Sequence, residues 1–345
     1  MIGVPNVGKS TLLELLSGGG ISGRLAVAQV PDPRLDMLAG LFHPKKVTPA
    51  TIRLTEVPGL LPGHLEGGQR NSFFDAVRRS DALLHVVRAF GDPAVPHPLG
   101  SVDPLRDARL VEEELILADL ERAESLAQRL SKKHPRTREE DVQWEVLGRC
   151  ASALSDALPL RRMGLSEGET AVLSGFGLLT LRQELLVCNT DEDTLREGRA
   201  FPDLQDWATS NAATLLVFSA KVEREIAAME SAERGEFLEA FGLVEPGTDR
   251  LARAAYRVLH LVSFFTAGAD EVRAWPVTEG TPAKKAAGKI HSDIERGFIR
   301  AEVAAFQDLE ATATWKALRE AGGLRLEGKD YVVQDGDIIT FRFNV

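Results

Sequence analysis

The fold is decided near the amino end by the stretch Gly3-Val4-Pro5-Asn6-Val7-Gly8-Lys9-Ser10-Thr11, which has the glycine and lysine spacing of a phosphate-binding loop. Glycines let the backbone wrap closely around phosphate oxygens and point successive N–H groups at them. Lys9 supplies a charge for the β- and γ-phosphates, and the Ser10 hydroxyl is suited to ligate Mg²⁺. A helix predicted over 11–16 presents its positive end to the same phosphates. We therefore expect a nucleotide site formed by Asn6, Val7, Gly8, Lys9, Ser10 and Thr11.

Length and composition describe a globular protein with more than one domain. The 345 residues exceed the size at which a single hydrophobic core usually stops growing. The formal net charge of -10 argues against general coating of nucleic acid and leaves room for a local basic patch. Only Cys150 and Cys188 are present, which fits a reducing compartment. With no long apolar run and no signal peptide, we expect a cytoplasmic protein without a membrane contact.

The start of the chain is unusually close to the loop. A buried first strand normally supplies about five residues before such a loop, and here only Met1 and Ile2 precede it. We expect either that the given start lies downstream of the natural one or that the first strand is truncated.

Short apolar runs alternate with helical segments in two separate parts of the chain. Strands are predicted over 50–57 and 82–87, and later over 185–188 and 213–218. Short buried strands separated by helices predict an α/β fold with a parallel sheet covered by helices on both faces.

The segment between these parts has helical periodicity. Two apolar stripes repeat at spacings of three and four, through Ile116, Leu120, Ala123, Ala127 and Leu130 and through Trp144, Leu147, Ala151, Leu154 and Leu158. A polar link with Pro135 separates them, so an antiparallel coiled hairpin with both stripes in its core is predicted. Ser166 and Glu169 have capping-box spacing and predict a further helix.

The last part of the chain reads as a small mixed α/β unit. Val332-Val333, a turn over 334–337 and an apolar run over 338–341 predict a β-hairpin. The alternation in Phe341-Arg342-Phe343 is typical of a half-buried strand.

A sensor for the metal and the γ-phosphate is expected where the strand over 50–57 ends. Glu56 is placed to hold Mg²⁺ and Gly59 to offer a backbone N–H to the γ-phosphate, although a surface glutamate before a Pro-Gly turn is the alternative. Leu60 stands where related enzymes position water with a glutamine, so slow hydrolysis is expected. His64, four residues on, is a hypothetical water-positioning residue, and an exposed loop histidine is the alternative.

The base is expected to bind at the ends of the two later strands. Guanine-specific relatives use Asn-Lys-x-Asp, and here Asn189, Thr190 and Glu192 occupy the three informative positions. Moving the acceptor carboxylate away from its usual distance weakens the selection of guanine. Ser219 and Ala220 fall where a base-contacting loop belongs, and a plain loop is equally compatible with this short pattern.

The chain resembles the YchF-type, or Obg-like, ATPase family of TRAFAC P-loop GTPases. The resemblance covers nearly the whole chain and is carried by the phosphate-binding loop, by Val30-Pro31-Asp32-Pro33-Arg34-Leu35-Asp36, by Gly100-Ser101-Val102-Asp103-Pro104, by Asn189-x-x-Glu192 and by long C-terminal motifs such as Ala287-Gly288-Lys289-Ile290-His291-Ser292-Asp293. It implies a discontinuous P-loop domain over 1–107 and 176–262, a coiled-coil insertion over 108–175 and a TGS (β-grasp) domain over 263–345.

The resemblance also implies a function. It implies a hydrolase with Mg²⁺ as cofactor that uses ATP in preference to GTP, binds the base through Asn189, Thr190 and Glu192, and associates with ribosomes. Two departures concern the sensor of the γ-phosphate: family members usually have Asp at the position of Glu56, and they have a threonine-bearing switch segment where residues 18–29 contain no threonine.

Two basic clusters are candidate contacts with ribosomal RNA, in line with a contact to the large subunit. One comprises Lys284, Lys285, Lys289, Arg296 and Arg300, and the other comprises Lys132, Lys133, Arg136 and Arg138 at the hairpin tip. A solvated charged face is the alternative for each. The expected oligomeric state is a monomer or a weak dimer.

Three functions remain open on the residues alone. The chain is an ATP-hydrolysing ribosome-associated switch, or a GTPase that prefers GTP, or a nucleotide-gated ribosome- or RNA-binding module with negligible turnover. Leu60, Glu56 and the missing threonine are the features that keep the third function open.

Overall fold

The structure, a computed structural model, describes residues 1–61 and 68–344. Packing divides the chain into two compact units. The first unit comprises Met1–Ala26 and Leu54–Leu251, and the second comprises Val27–Arg53 and Ala252–Val345.

The secondary structure alternates between strands and helices over most of the chain. The strands are β1 (Ile21–Ser22), β2 (Leu25–Val30), β3 (Lys46–Thr48), β4 (Ala50–Thr55), β5 (Ala82–Ala89), β6 (Gln183–Thr190), β7 (Ala213–Phe218), β8 (Leu261–Ala267), β9 (Glu271–Thr278), β10 (Phe298–Ala305), β11 (Arg325–Glu327) and β12 (Asp337–Phe343). The α-helices are α1 (Lys9–Ser17), α2 (Pro33–Phe42), α3 (Gly68–Arg78), α4 (Pro104–Ser131), α5 (Arg138–Ser155), α6 (Glu167–Leu173), α7 (Glu192–Arg196), α8 (Pro202–Ser210), α9 (Ala220–Ala228), α10 (Ser231–Ala240), α11 (Gly247–Val258), α12 (Ala283–Ile290), α13 (Ser292–Arg296), α14 (Phe306–Thr312) and α15 (Trp315–Glu320).

The first unit is built around the parallel sheet β5-β6-β7. Strands β5 and β6 are buried over almost their whole length, as expected for strands covered on both faces. Ile2 forms a parallel bridge with His85 of β5, and the N–H of Val57 donates to the carbonyl of Met1. Met1 and Ile2 thus occupy the position of a first strand, and the expected α/β class with a parallel sheet is confirmed.

Helices α4 and α5 form the expected hairpin, named the arm here. Asp103 caps α4 with Pro104 in its first turn, and Thr137 with Glu140 forms a capping box on α5. The arm core contains most of the predicted stripe residues; those buried or packed against it are Ile116, Leu120, Ala123, Ala127, Leu130, Leu147, Ala151 and Leu154.

Two predicted stripe residues, Trp144 and Leu158, lie outside the arm core, and Leu158 follows the end of α5 at Ser155. Trp144 is 43% exposed, and the guanidinium of Arg136 lies 4.9 Å from its ring centroid. Val146 and Cys150 are buried instead, because the buried face of α5 is rotated from the predicted one. The capping box predicted for the next helix is confirmed, since both reciprocal bonds between Ser166 and Glu169 are present in α6.

A buried ionic cluster joins the root of the arm to the sheet. Arg161 pairs with Glu112 of α4 at 2.9 Å and with Glu184 of β6 at 2.7 Å, and Glu184 also contacts His85 Nδ1 at 2.7 Å. Burial and, after it, the charge of Glu184 raise the pKa of Glu112 to about 7. Burial opposes ionisation of Glu184 as well, but the charge of Arg161 lowers its pKa. The cluster therefore keeps Glu184 ionised and leaves Glu112 about half protonated at pH 7.

The second unit contains a mixed sheet in the order β11-β10-β12-β8-β9-β3. Strand β12 pairs antiparallel with β10 and parallel with β8, where Ile338 faces Phe265. Helix α12 buries Ala283, Ala286 and Ala287 in the same core as residues of β8, β10 and β12. A parallel central pair with a helix packed across it is the β-grasp arrangement.

The β-hairpin predicted near the carboxyl end is wrong. Val332 forms an isolated bridge with Pro282, and the N–H of Val333 donates to the carbonyl of Thr281. Strand β12 instead finds its partners far away in sequence, in β10 and β8. Phe343 at the end of β12 is 45% exposed, so the predicted alternation of burial stops at Phe341.

Residues 27–53 pack in the second unit, although they precede most of the first unit in sequence. Asp32 caps α2, and Arg34 pairs with Asp32 at 2.8 Å and with Asp335 at 2.7 Å. Strand β3 extends the sheet next to β9. This division by packing does not coincide with the expected domain bounds at 107, 175 and 262, which stay a prediction.

None of the helices within residues 1–61 and 68–344 combines the length and the apolar character needed to cross a membrane.

Candidate active site

The phosphate-binding loop has a backbone that only glycine accommodates at two positions. Gly3 has φ 140° and Gly8 has φ 96°. A Cβ on Gly3 would lie 2.3 Å from the carbonyl oxygen of Val86, and a Cβ on Gly8 would lie 2.4 Å from Asn189 Nδ2. Helix α1 begins at Lys9, directly after the loop. The loop therefore stands at a helix amino end with its glycines fixed by close neighbours, as an anion site requires.

Lys9 is buried within this loop. Its Nζ donates to the carbonyl oxygens of Gly3 at 3.1 Å and of Val4 at 2.9 Å, and the residue is 6% exposed. Burial lowers the pKa of Lys9 to about 8, and the charge of Glu56 partly opposes this shift. The ammonium is thus held over the loop by weak acceptors that phosphate oxygens can replace.

Ser10 and Glu56, the predicted metal residues, are in direct contact. The Ser10 hydroxyl donates to Glu56 Oε1 at 2.7 Å, and the N–H of Glu56 donates to the carbonyl of Arg24. The additional methylene of Glu56, compared with an aspartate, therefore does not separate the two side chains. One hydroxyl and one carboxylate are hard oxygen donors, and Mg²⁺ is usually bound by one or two such groups together with phosphates and waters. The pair fits this ion.

Within the described ranges, 1–61 and 68–344, three or more His, Cys, Asp or Glu side chains do not converge as a metal cluster. Mg²⁺ is usually bound by one or two protein oxygens together with phosphate oxygens and waters, and Ser10 and Glu56 would supply two such oxygens.

Gly59 lies against the phosphate-binding loop. A Cβ on Gly59 would lie 2.6 Å from both Cγ and the backbone nitrogen of Pro5. The next residue, Leu60, is 2% exposed, and its N–H donates to the carbonyl of Gly3 at 3.1 Å. Leu60 is thus fixed inside the unit and brings no polar atom to the site. His64 lies outside the described residues.

The base-side residues stand at the carboxyl ends of β6 and β7. Asn189 Nδ2 donates to the carbonyl of Val7 at 3.0 Å, and Asn189 Oδ1 accepts from the N–H of Ala220 at 3.0 Å. Asn189 therefore ties the phosphate-binding loop to the start of α9. The hydroxyls of Thr190 and Ser219 are buried and, among the residues that the structure describes, have no hydrogen-bond partner.

Glu192 is the least buried of the predicted base residues. It begins α7, and its side chain is 29% exposed. Its Oε2 lies 3.2 Å from Lys221 Nζ, and its Oε1 lies 2.6 Å from Arg196 Nη2. The hydrogen bond from Lys221 lowers the pKa of Glu192. Both carboxylate oxygens are therefore engaged by cations.

The remaining predicted residues line the same loop. Asn6 has φ 65°, and its Nδ2 donates to the carbonyl of Pro96 at 3.2 Å. Thr11 is partly exposed in the first turn of α1.

The sequence reasoning missed Arg88, which supports the site from behind. Arg88 is 1% exposed, and its Nη1 donates to the carbonyls of Asn6 at 3.3 Å and of Val95 at 2.8 Å. The available signal was a charged residue near the end of a mostly apolar strand. Lys221 belongs to the tripeptide Ser219-Ala220-Lys221 that the sequence places in a base-contacting loop, but its contact with Glu192 was not predicted.

The segment expected to carry a switch threonine forms a short hairpin. In β1 and β2, Ile21 faces Ala26 and Ser22 faces Leu25, which leaves a two-residue turn with Gly23 at φ 62°. Residues 18–29 therefore offer the site no threonine hydroxyl.

Family models match both ends of the chain. The MMR_HSR1 model, described as "50S ribosome-binding GTPase", matches residues 1–124. The YchF-GTPase_C model, described as "Protein of unknown function (DUF933)", matches residues 261–344.

Similar proteins cover the whole chain. "Ribosome-binding ATPase YchF" of Bacillus subtilis is 40% identical over 100% of this chain and 98% of its own length. The protein of the same name from Haemophilus ducreyi is 39% identical with the same coverage, and "Obg-like ATPase 1" of Caenorhabditis elegans is 35% identical over 100% of this chain and 91% of its own length.

A solved structure shares this architecture. "Structure of the Schizosaccharomyces pombe YchF GTPase" superposes with a TM-score of 0.89 at 30% identity, over 99% of this chain and 96% of that one. The alignments with the three sequence relatives are longer than the 345 residues present here, so these relatives contain residues without a counterpart in this chain.

Proposed function

Since the chain belongs to the YchF, or Obg-like ATPase, family of P-loop nucleotide triphosphatases, we propose that it hydrolyses ATP, with GTP as a secondary substrate, and acts as a ribosome-associated switch. The observation that carries the proposal is the buried Lys9 over a glycine-fixed loop at the start of α1. The three relatives are named as ATPases, and the hydrolase class of the family is shared by this chain.

The phosphates are bound by the loop itself. The N–H groups around Gly8 and the ammonium of Lys9 meet the β- and γ-phosphates, replacing the carbonyls that Lys9 contacts now. Ser10 and Glu56 hold Mg²⁺, which neutralises charge on the phosphates when it is bound. Val7, Thr11 and Asn6 complete the wall of the loop.

Catalysis rests on charge stabilisation at the transferring group. Lys9 and the N–H of Gly59 are the proposed catalytic donors to the γ-phosphate. Because Leu60 is buried and apolar, it cannot orient the attacking water, and slow turnover follows. His64 is a proposed positioning residue for water, and an unchanged steady-state rate in His64→Ala would remove it from the mechanism.

The base is bound between Asn189, Thr190 and Glu192 on one side and Ser219 and Ala220 on the other. The unpartnered buried hydroxyls of Thr190 and Ser219 supply hydrogen bonds that both purines can use, since a hydroxyl donates and accepts. These hydroxyls support the use of both ATP and GTP.

Nucleotide competition is the experiment that tests the proposal. Purified protein with Mg²⁺ and labelled ATP is titrated with unlabelled ATP, GTP and CTP. Stronger displacement by ATP than by GTP is expected, and stronger displacement by GTP would establish the guanine-preferring alternative.

A second candidate is a nucleotide-gated binding module with negligible turnover. The buried Leu60 and the hairpin without threonine over 18–29 favour it. Phosphate release separates the two functions: the native protein is expected to release phosphate above the level of Lys9→Ala, and equal rates would support the module.

The proposed partner is the ribosome, through RNA of the large subunit. Two curated relatives carry the name "Ribosome-binding ATPase YchF". In the second unit, Lys285 pairs with Glu295 and Arg296 with Asp293. Within the described ranges Lys284, Lys289 and Arg300 form no ion pair, and these three define the C-terminal basic patch.

The arm tip is more nearly neutralised. Lys133 pairs with Glu140, and Arg136 pairs with Asp141 at 2.6 Å. Lys132 and Arg138 are the tip cations for which the described residues provide no ion pair. Both surfaces are proposed contacts, and the C-terminal basic patch is expected to contribute more.

Cosedimentation with ribosomes tests this ranking. Charge reversal of Lys284, Lys289 and Arg300 is expected to reduce the bound fraction more than charge reversal of Lys132 and Arg138. Equal losses would contradict the ranking, and no loss in either variant would remove both surfaces. We further propose that the protein works in the cytoplasm and is a monomer or weak dimer. Light scattering measures the oligomeric state.

A further inference from the structure

We propose that Lys221 and Arg196 are positioning residues that set base preference by holding Glu192, so that guanine is disfavoured relative to adenine. The inference rests on the proposed function, because it assigns a cause to the preference for ATP at the same site. Neither cation belongs to the residues expected to contact the base.

The geometry engages both acceptor atoms of Glu192. Lys221 Nζ lies 3.2 Å from Oε2, and Arg196 Nη2 lies 2.6 Å from Oε1. Arg196 lies one turn after Glu192 in α7, and Lys221 lies in the first turn of α9. The Glu192 carboxylate is therefore held by cations of two separate helices. A ligand would share each of its oxygens with one of these cations.

The two purines differ in what they need from this carboxylate. Guanine presents two adjacent donors, its ring N–H and its exocyclic amine, and a carboxylate matches them only with both oxygens. Adenine presents one exocyclic amine and ring acceptors. Each cation takes one lone pair of its oxygen and fixes the orientation of the Glu192 carboxylate, so alignment with the two donors of guanine is restricted more than contact with the single amine of adenine.

A backbone contact acts in the same direction. The N–H of Ala220 donates to Asn189 Oδ1 at 3.0 Å, and both residues are buried. The O6 atom of guanine is an acceptor and needs a donor, whereas adenine has an amine at that place. If the N–H of Ala220 donated to O6 of guanine instead, Asn189 Oδ1 would be left as a buried acceptor without a partner. This cost disfavours the binding of O6 at this position.

Exposure limits the size of the effect. The side chains of Lys221 and Arg196 are 69% and 48% exposed, and exposed ion pairs contribute little. We expect each cation to change the ratio of GTP to ATP affinity by about two- to fivefold.

The experiment measures the dissociation constants of ATP and GTP for matched variants. Lys221→Met and Arg196→Met are each expected to raise the ratio of GTP to ATP affinity, and the double variant to raise it further. Lys221→Arg keeps the positive charge and is therefore expected to keep the ratio of GTP to ATP affinity at its native value. Lys316→Met is the control, because Lys316 forms a comparable exposed pair with Glu320 in the second unit.

The same measurements in Glu192→Gln identify the route of the effect. If Lys221 acts through Glu192, Lys221→Met changes nothing in this background. An unchanged ratio in Lys221→Met and Arg196→Met, or an equal change with Glu192→Gln present, overturns the inference. If the native protein prefers GTP, the proposed preference for ATP is overturned instead. The change in the ratio of GTP to ATP affinity between each variant and the native protein still tests the roles of Lys221 and Arg196.

Discussion

The phosphate-binding loop and the base-side loops belong to the same unit and are stabilised in different ways. In the phosphate-binding loop, Gly3 and Gly8 have left-handed backbone conformations and their neighbours leave no room for a Cβ. On the base side, Glu192 is partly exposed and is held by two surface cations. The first region is fixed by backbone geometry, which few sequences satisfy. The second is fixed by side-chain pairs, which single substitutions can rearrange, so substrate choice is easier to change than phosphate binding.

The largest effect is expected for Lys9→Ala. The variant removes the only buried ammonium that the described part of the loop offers to the phosphates, and loss of one such group slows catalysis by about 100-fold or more. Phosphate release with saturating ATP is the measurement, and circular dichroism verifies the fold. Lys316→Ala is the control, and a rate within threefold of the native one would contradict the role of Lys9.

Gly59→Ala tests whether backbone packing maintains the phosphate-binding loop. The new Cβ meets Pro5 at 2.6 Å, and relief of such overlap costs about 1–3 kcal/mol. We expect ATP to bind about tenfold more weakly, because the loop must move.

Gly148→Ala in α5 is the matched control for that substitution. No atom lies within 4 Å of its added Cβ, so it should leave affinity unchanged and slightly stabilise the helix. Affinity is measured by competition and stability by thermal unfolding. Equal affinity in Gly59→Ala and the native protein would show that the loop tolerates displacement of Pro5.

The pKa of Lys9 predicts a pH dependence for binding. Burial lowers this pKa to about 8 in the free protein, and a bound triphosphate raises it again. Binding then needs the protonated form, so the contribution of Lys9 is nearly complete at pH 7 and is lost as the pH rises through about 8. Affinity for ATP should be about tenfold weaker at pH 9 than at pH 7.

Lys9→Arg serves as the comparison, since arginine stays protonated over this range. Its affinity, measured by calorimetry at several pH values, should be nearly constant from pH 7.5 to pH 9. A parallel decline in both proteins would assign the pH dependence to another group.

The smallest effect concerns base selection. Combining Thr190→Lys with Glu192→Asp restores the residue types of guanine-specific relatives. We expect the ratio of GTP to ATP affinity to rise about fivefold, the equivalent of one weak hydrogen-bond difference. Competition between the two nucleotides measures it, and a ratio shifted toward ATP would show that the base lies elsewhere.

Local sequence patterns predicted the bounds of individual helices and strands better than they predicted which elements pack against one another. The strand over 213–218 has the predicted bounds; Ala213 and Phe218 at its ends are buried, and Leu215 and Val217 are partly buried. The position of Val332 could not be predicted, since its partner Pro282 lies 50 residues earlier in the sequence. Trp144 fits the periodicity of the stripe, yet a small rotation of α5 exposes it.

The candidate site shows the same limit. The sequence motifs predicted Lys9, Ser10 and Asn189 as site residues, because nucleotide binding restricts both residue type and spacing. Arg88 and Lys221 have no such spacing rule, and their importance follows only from distances to Asn6 and Glu192. The packing of residues 27–53 in the second unit likewise depends on contacts such as Arg34 with Asp335, which no local pattern encodes.

The ionic cluster at the root of the arm has a mechanical consequence. Helix α4 continues for 19 residues beyond Glu112, a distance of about 29 Å at 1.5 Å per residue. A pivot of only 5° at Arg161 would sweep the far end of α4 through about 2.5 Å, as a lever amplifies a small turn at its fulcrum. Such a displacement is comparable to the length of a hydrogen bond. A small rotation at the sheet would therefore be large enough to form or break a hydrogen bond at the tip of the arm.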